Sequence, residues 1–359
     1  MGQTDHGPAV IPMMDGRVSV GRLAQTFVGT GRPGEYMDTK VASLLRREPI
    51  DHLGMSFFDL PAAIYQELAA AMADEHKWHF EHNNTDSHME FLAASAPHLV
   101  EWSRKLPFPK GSVHLDIGAG EGILSYLVAR RGHHSIAVEL CATILHSATL
   151  FQSEIRGAGA DTNSSMDLWV SDIYQLPLKD ASVDFVTIKE VLHHLDDLDG
   201  LMGELARVLK PGGMVYVWEP FDMSIPLLRS YRLSRVRPAE LALGIHHRYH
   251  TYWTYQRLFR RWFTEVDVER RFEATKLQHQ LTRNRFTIGS IHASGRIKPY
   301  QPSAAVPAER VQIQPGDFLR EEFLPVGLAT TRCRKELLDR LLEEEQRSAR
   351  SPGSRSAEG

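Results

Sequence analysis

The chain has 359 residues, of which 42% are hydrophobic and 24% are charged, and its net charge is −4 at pH 7. This composition is typical of a soluble globular protein, and the charge argues against overall attraction to nucleic acid. Two cysteines exclude a disulfide framework and predict a cytoplasmic protein, and neither a membrane span nor a secretory signal is visible in the sequence.

The first 105 residues predict an arm followed by helices. Residues 1–35 are rich in glycine, proline and threonine, which indicates a loosely attached arm. Helical patterns follow at Asp38–Leu45, at Leu60–His79 and at about Ser87–Arg104. We therefore expect a helical cap that covers the domain which follows.

A strand, a glycine-rich turn and a helix come next. The apolar run that starts at Val113 ends on Asp116-x-Gly118-x-Gly120-x-Gly122, and a helical stretch begins at Ile123. Glycines allow positive φ and a close backbone approach to a ligand. The chain does not match the dinucleotide-binding fingerprint G-x-G-x-x-G/A, because Ile123 occupies the position of the third small residue. Asp116 would repel a pyrophosphate but would suit a ligand that carries an ammonium group.

The same alternation of strand and helix continues for about 100 residues. Acidic or histidine residues follow the successive apolar runs, namely Glu139, Asp172, Glu190 and His193-His194. Helices are predicted over 141–157 and Leu201–Leu209, and the second ends at Lys210-Pro211-Gly212-Gly213 before a strand at Met214–Pro220. Repeated strand–helix–strand units predict a parallel sheet with helices on both faces.

These motifs, in this order, resemble the class I S-adenosylmethionine (AdoMet)-dependent methyltransferases over about residues 111–220. The acidic residue after the second strand suits ribose in either an NAD or an AdoMet enzyme, and the whole set of motifs favours AdoMet. The resemblance implies an α/β fold, a Rossmann-like seven-stranded doubly wound sheet with an N-terminal helical cap and an inserted lid. The family's closing antiparallel strand pair is expected at 265–269 and 285–291.

The resemblance also implies roles for individual residues. Asp116 and the glycine loop would meet the methionine end of AdoMet, Glu139 the ribose, and Asp172 with Ile173 the adenine. The full set of expected cofactor-binding residues is Asp116, Gly118, Ala119, Gly120, Gly122, Glu139, Leu140, Asp172, Ile173, Lys189 and Glu190. His194, ahead of His193, is the candidate general base, since imidazole titrates near neutral pH; a purely structural role for the pair is the alternative.

Two groups of histidines raise the question of a metal site. His76, His79 and His82 are spaced three apart, and His246, His247 and His250 form a second group. A repeated spacing of three drifts around a helix, and no carboxylate or thiol cluster completes a ligand set. No metal is predicted, and the histidines are expected to line a substrate pocket or to lie on the surface.

We expect three regions in all: an arm and cap over 1–105, an AdoMet-binding core over 106–295 with a lid inserted at 221–248, and an extension over 296–359. The stretch Arg229–Arg261 holds eight arginines against one acidic residue, which suits an anionic substrate, RNA, or a solvated or subunit-contacting face. A charged helix is predicted at Arg334–Glu345, before a disordered tail from Ser348.

The predicted function is methyl transfer from AdoMet to an oxygen or nitrogen nucleophile of a small, biosynthetic and anionic molecule. The overall acidity disfavours nucleic acid as a partner, no membrane contact is expected, and a homodimer is an open expectation. Two alternatives stay open at this point. One is a methyltransferase that acts on RNA or protein, and the other is a non-catalytic subunit of the same fold that binds a partner protein.

Overall fold

The computed structural model describes residues 37–62, 86–157, 164–222, 250–272, 287–299, 310–313 and 331–350. The predicted N-terminal arm, the His76–His82 group, all but the first two residues of the predicted lid and the tail beyond Arg350 lie outside these residues. Among the helices in the described stretches, none combines the length and the apolar composition that a membrane crossing requires.

Helices and strands alternate along most of the described chain. Helices α1 to α8 are Thr39–Ser43, Asp86–Arg104, Ile123–Ala129, Ala142–His146, Thr149–Gly157, Leu198–Val208, Tyr252–Trp262 and Thr331–Arg350. Strands β1 to β11 are Ile50–His52, Met55–Phe57, Leu60–Pro61, Val113–Ile117, His134–Glu139, Ser165–Val170, Val183–Lys189, Leu209–Asp222, Phe263–Phe272, Thr287–Ile297 and Arg310–Val311. One turn of 3₁₀-helix spans Leu192–His194.

Nine of these strands form one sheet in the order β1-β2-β6-β5-β4-β7-β8-β10-β9. Strands β2, β6, β5, β4, β7 and β8 run parallel, and β10 and β9 add antiparallel at one edge, as the resemblance implies. The α/β doubly wound fold is confirmed, but the count of seven strands is wrong. Strands β1 and β2 form a hairpin that extends the other edge at β6, so the predicted helical cap also supplies strands to the sheet.

Helices cover both faces of the sheet, which explains why its central strands are continuous apolar runs. Every residue of β4 is buried, as expected for a parallel strand packed on both sides. One apolar core joins the sheet to α6 and α7, through Leu205 and Phe259 among others. A second core joins the opposite face to α2, α3, α5 and α8, including Val100 and Leu341.

Strand β8 begins at Leu209 and so includes the turn predicted at Lys210-Pro211-Gly212-Gly213. Three further local predictions differ from the structure. Leu60–Pro61, predicted as the start of a helix, is strand β3, and it pairs with β11. The single helix predicted over 141–157 is two helices, α4 and α5, because the chain turns at Ser147–Ala148 beneath the glycine loop. Helix α8 runs to Arg350 rather than ending near 345, since Arg104 and Arg130 from the domain core bind its last turns at Glu345 and Ser348.

Asp167, in the middle of β6, is a buried carboxyl group whose ionisation opposes folding. It is 2% exposed and accepts hydrogen bonds from the Asp38 amide at 3.0 Å and the Ser165 hydroxyl at 3.1 Å. Burial raises its pKa to about 7 from the ordinary 3.8. Because the pKa of this carboxyl group is higher in the folded than in the unfolded state, its contribution to the free energy of unfolding is largest below about pH 4. That contribution is lost as the pH rises through about 7.

We expect Asp167→Asn to stabilise the protein by about 2–3 kcal/mol more at pH 8 than at pH 5. An amide keeps an acceptor for Asp38 and carries no charge, so it avoids the cost of ionisation, which grows by about 1.4 kcal/mol for each pH unit between pH 5 and the pKa of about 7. Urea unfolding at the two pH values measures it, with the exposed Asp267→Asn as the matched control. A pH dependence equal to that of the wild type would contradict the assignment.

Candidate active site

The loop between β4 and α3 carries three glycines with positive φ, at +63° for Gly118, +53° for Gly120 and +71° for Gly122. A Cβ atom on Gly118 would lie 2.4 Å from Val191 Cγ2, and one on Gly122 would lie 2.8 Å from the Ala148 and Met166 side chains. A Cβ atom on Gly120 would meet no atom of the described residues within 4 Å. Two glycines are therefore required by packing, and the third borders space that the described part of the chain leaves open, where a ligand can approach the backbone.

Glu139, at the end of β5, is joined to this loop. Its Oε2 accepts a hydrogen bond from the Gly120 amide at 3.1 Å, and its Oε1 accepts from the amides of Leu140 at 2.7 Å and Cys141 at 3.0 Å. The Ala119 amide donates to Val138 O at 3.0 Å. The ends of β4 and β5 are thus tied together, and the predicted residues Ala119, Glu139 and Leu140 lie side by side.

Asp116 lies below the loop and is almost fully buried. Its Oδ2 accepts from the Ser125 hydroxyl at 2.7 Å and its Oδ1 from the Thr187 hydroxyl at 2.6 Å. Burial raises its pKa to about 6, and these two hydrogen bonds oppose the rise. Thr187 also lies 2.7 Å from Nε2 of the buried His114. Each carboxylate oxygen can accept a second hydrogen bond, so the contacts leave Asp116 able to bind a further donor.

Asp172 follows β6 and holds a buried acceptor that lacks a partner. Its Oδ1 accepts from the Tyr174 amide at 2.9 Å, whereas Oδ2 has no hydrogen bond to the part of the chain that is described. The residue is 4% exposed, and burial raises its pKa. A buried polar atom without a partner is unfavourable, so Oδ2 is suited to a ligand that donates a hydrogen bond. Ile173 packs at the edge of the apolar core beside it.

Lys189 and Glu190 end β7 next to the glycine loop. The Lys189 ammonium lies 2.9 Å from Glu190 Oε2, and the Glu190 amide donates to Trp218 O at 2.8 Å. Glu190 has a φ of +57°, which turns the chain sharply at this point. The next residue, Val191, is the one that would collide with a side chain at Gly118. The two predicted residues therefore lie at the border of the loop.

The predicted histidine pair is held by a carboxylate that the sequence analysis missed. Glu219, in β8, is fully buried; its Oε1 accepts from the amides of Val191 and Leu192 at 2.5 and 2.7 Å, and its Oε2 lies 2.8 Å from His193 Nδ1. The His193 and His194 rings are 4.1 Å apart between centroids. Burial raises the pKa of Glu219 to about 8, against the effect of its three donors. In the sequence, the signal that could have revealed Glu219 is the presence of an acidic residue within the apolar run Met214–Pro220.

The ends of five adjacent parallel strands therefore bring together the predicted site residues and Glu219. Ligands of open α/β sheets bind at this edge. Of the second histidine group only His250 is described, and its Nε2 lies 3.1 Å from Leu195 O. Across the described stretches, no three histidine, cysteine or carboxylate residues are placed to share a metal ion.

Comparison with known proteins assigns the central part of the chain. Residues 115–217 match the family model of a methyltransferase domain. Ubiquinone biosynthesis O-methyltransferase from Xanthomonas axonopodis pv. citri is 27% identical over 169 residues, which cover 46% of this chain and 66% of that protein. The enzyme of the same name from Hahella chejuensis is 35% identical over 103 residues, covering 28% of this chain and 40% of that protein.

Among solved structures, phosphoethanolamine N-methyltransferase 2 from Haemonchus contortus, in complex with phosphomonomethylethanolamine and S-adenosylhomocysteine, is similar to this chain. The identity is 16%, the TM-score is 0.45, and the match covers 62% of this chain and 59% of that protein. The chain spans less than two thirds of the length of the curated relatives that it matches.

Proposed function

Since residues 115–217 form a class I AdoMet-dependent methyltransferase domain, we propose that the protein transfers the methyl group of AdoMet to a nucleophilic oxygen or nitrogen of a small molecule. The observation that carries the proposal is the meeting of the glycine loop, Glu139 and Asp172 Oδ2, which has no partner among the described residues, at one edge of the sheet. The names of the relatives, ubiquinone biosynthesis O-methyltransferases, favour an oxygen nucleophile in a biosynthetic substrate.

The described residues fit AdoMet in three places. Gly120 leaves the loop open to a ligand, Asp116 offers negative charge for an ammonium group, and Asp172 Oδ2 offers a buried acceptor for an amino group. We assign the methionine end of AdoMet to Asp116 and the loop, the ribose to Glu139, and the adenine to Asp172 with Ile173. Leu140, Lys189 and Glu190 would border the same site.

In this mechanism the chain positions the reactants and removes a proton. AdoMet supplies a methyl group that is already activated on a sulfonium. We assign the general base to His193 rather than to His194, because Glu219 binds His193 Nδ1 and so fixes the orientation of its ring. His193 would take the proton from the acceptor's hydroxyl as the new bond forms, or from the ammonium group that an amine acceptor becomes once it is methylated. His194 lies against the His193 ring and would help to shape the pocket.

The substrate is proposed to be a small and anionic molecule. Support comes from the composition of 229–261, most of which lies outside the described residues, and from the net charge of −4, which disfavours nucleic acid. A homodimer and a cytoplasmic location remain predictions from the sequence. The three regions with boundaries at 105/106 and 295/296 also remain a proposal.

Binding of S-adenosylhomocysteine tests the cofactor assignment. By isothermal calorimetry we expect the wild type to bind, and Asp116→Asn and Glu139→Ala to weaken binding by about 10- to 100-fold, the effect of losing a hydrogen bond to a charged group. Asp116→Asn keeps the size of the side chain and an acceptor, so it changes mainly the charge. The exposed carboxylates Glu265 and Asp267, changed to alanine, are matched controls. Wild-type affinity in both site variants would show that the assignment is wrong.

A further inference from the structure

A group of charged side chains from the two ends of the described chain meets beside Asp172, outside the segment that matches the methyltransferase family. Strand β11 pairs with β3, with Arg310 opposite Pro61 and Val311 opposite Leu60. The Arg310 guanidinium donates to the Asp59 carboxylate, to the Asp59 main-chain oxygen and to Gln175 Oε1. One side chain thus connects the N-terminal segment to the turn that follows β6.

Arg47 reaches the same turn from the other end of the chain. Its Nη1 lies 3.3 Å from Asp59 Oδ1, and its Nη2 donates to the main-chain oxygen of Gln175. Backbone hydrogen bonds continue this contact, from the Arg46 amide to Pro177 O at 3.0 Å and from the Lys179 amide to Leu44 O at 2.8 Å. Residues 44–47 therefore hold the chain from Gln175 to Lys179, and Arg310 of β11 holds the Gln175 side chain at the end of the turn.

Two buried polar atoms beside this group lack partners within the described chain. One is the acceptor Asp172 Oδ2, and the other is the donor Arg47 Nε. Arg47 and Arg310 are both near enough to Asp172 to act on its carboxylate electrostatically, and both favour its ionised form. Asp172 lies in the turn and Arg47 binds it through Gln175, and a buried donor and a buried acceptor at one turn suit a ligand edge that both donates and accepts, such as the amino group and ring nitrogen of adenine.

We propose that Arg47, Asp59 and Arg310 form a clasp that holds the 172–175 turn in the conformation that selects an adenine amino group. Asp172 is the residue that contacts the purine, and Arg310 is a positioning residue that acts through Gln175. Selectivity for adenine over a purine with an oxygen at the same position therefore depends on residues that lie on both sides of the family segment 115–217. This inference rests on the proposed AdoMet site.

The experiment compares S-adenosylhomocysteine with S-inosylhomocysteine, in which a carbonyl oxygen replaces the amino group. A carbonyl oxygen facing Asp172 meets an acceptor instead of a donor, so the wild type should prefer the adenine compound by about 100-fold. In Arg310→Ala we expect the preference to fall to about tenfold or less, since the charged hydrogen bonds that fix the turn are lost. A ratio of two affinities is insensitive to a general loss of folded protein.

The matched control is Arg296→Ala, because Arg296 also binds a carboxylate, Glu265, and a main-chain oxygen, Gly212 O, but far along the sheet from Asp172. It should keep the wild-type preference. Gln175→Ala, which removes only the side chain that Arg310 holds, should lower the preference if Arg310→Ala proves unstable in thermal unfolding. An unchanged preference in both Arg310→Ala and Gln175→Ala, or an equal loss of affinity for both compounds, would overturn the clasp. Failure of the wild type to bind either compound would instead overturn the proposed function.

Discussion

Replacing His193 by alanine should lower the rate of methyl transfer by about 10²- to 10⁴-fold, the usual contribution of a general base, and should leave the affinity for S-adenosylhomocysteine unchanged. Its Nδ1 lies 2.8 Å from a fully buried glutamate, so the ring is fixed by the fold and not by the cofactor. Turnover under saturating AdoMet, together with calorimetry of the same preparations, separates the two quantities.

Glu219→Gln and His194→Ala complete this series. The amide keeps the size of Glu219 but has one acceptor oxygen in place of two, and it must be shared among Val191, Leu192 and His193. We expect a loss of turnover approaching that of His193→Ala and a lower thermal stability, because a buried donor is left unpaired. His194→Ala should keep most of the turnover. The reverse result, with activity lost in His194→Ala and kept in His193→Ala, would move the general base to His194.

Gly118→Ala should mainly lower the stability of the protein, whereas Gly120→Ala should mainly lower its affinity for the cofactor. Both glycines have positive φ, so both variants carry the same backbone strain of about 1–2 kcal/mol. A Cβ atom at 118 also collides with Val191 at 2.4 Å, which should raise the loss of stability to about 3–4 kcal/mol. A Cβ atom at 120 meets no atom of the described residues within 4 Å and enters the space assigned to the cofactor.

Gly120→Ala should therefore remain folded in urea titration and lose most of its affinity for S-adenosylhomocysteine. The double variant Gly118→Ala, Val191→Ala is the matched control for the collision, because it removes the contacting side chain and should recover part of the stability lost in Gly118→Ala. Full affinity in Gly120→Ala would mean that the open space above the loop is not where the cofactor lies.

The central sheet could be predicted from the sequence because each of its strands is a buried apolar run followed by a polar residue at the ligand-binding edge. Asp116, Glu139 and Asp172 were found in this way, and the structure places each at the end of its strand. The same reasoning overlooked Glu219, since it lies inside a long strand and shows its role only through contacts with His193 and the β7–α6 turn.

Features that depend on distant pairing could not be predicted. Strands β1 and β2 have three residues each, too few to show an alternating pattern, and Leu53 at φ +49° occupies a turn position where glycine or asparagine is the usual signal. Leu60–Pro61 follows the helical pattern locally but becomes a strand, because residues 310–311 pair with it. Nothing near Pro61 in the sequence indicates a partner so far along the chain.

The contact between Arg310 and Asp59 joins residues that are 251 positions apart, and this separation determines how long after the synthesis of Asp59 the contact can form. A ribosome adds about 5–20 residues each second, so Asp59 waits more than about ten seconds for its partner to be synthesised. All nine strands of the main sheet are complete by residue 297, before Arg310 is added. The strands of the sheet are thus synthesised before the last residue of the adenine clasp, and on our proposal the chain gains selectivity for its cofactor only after Arg310 has been added.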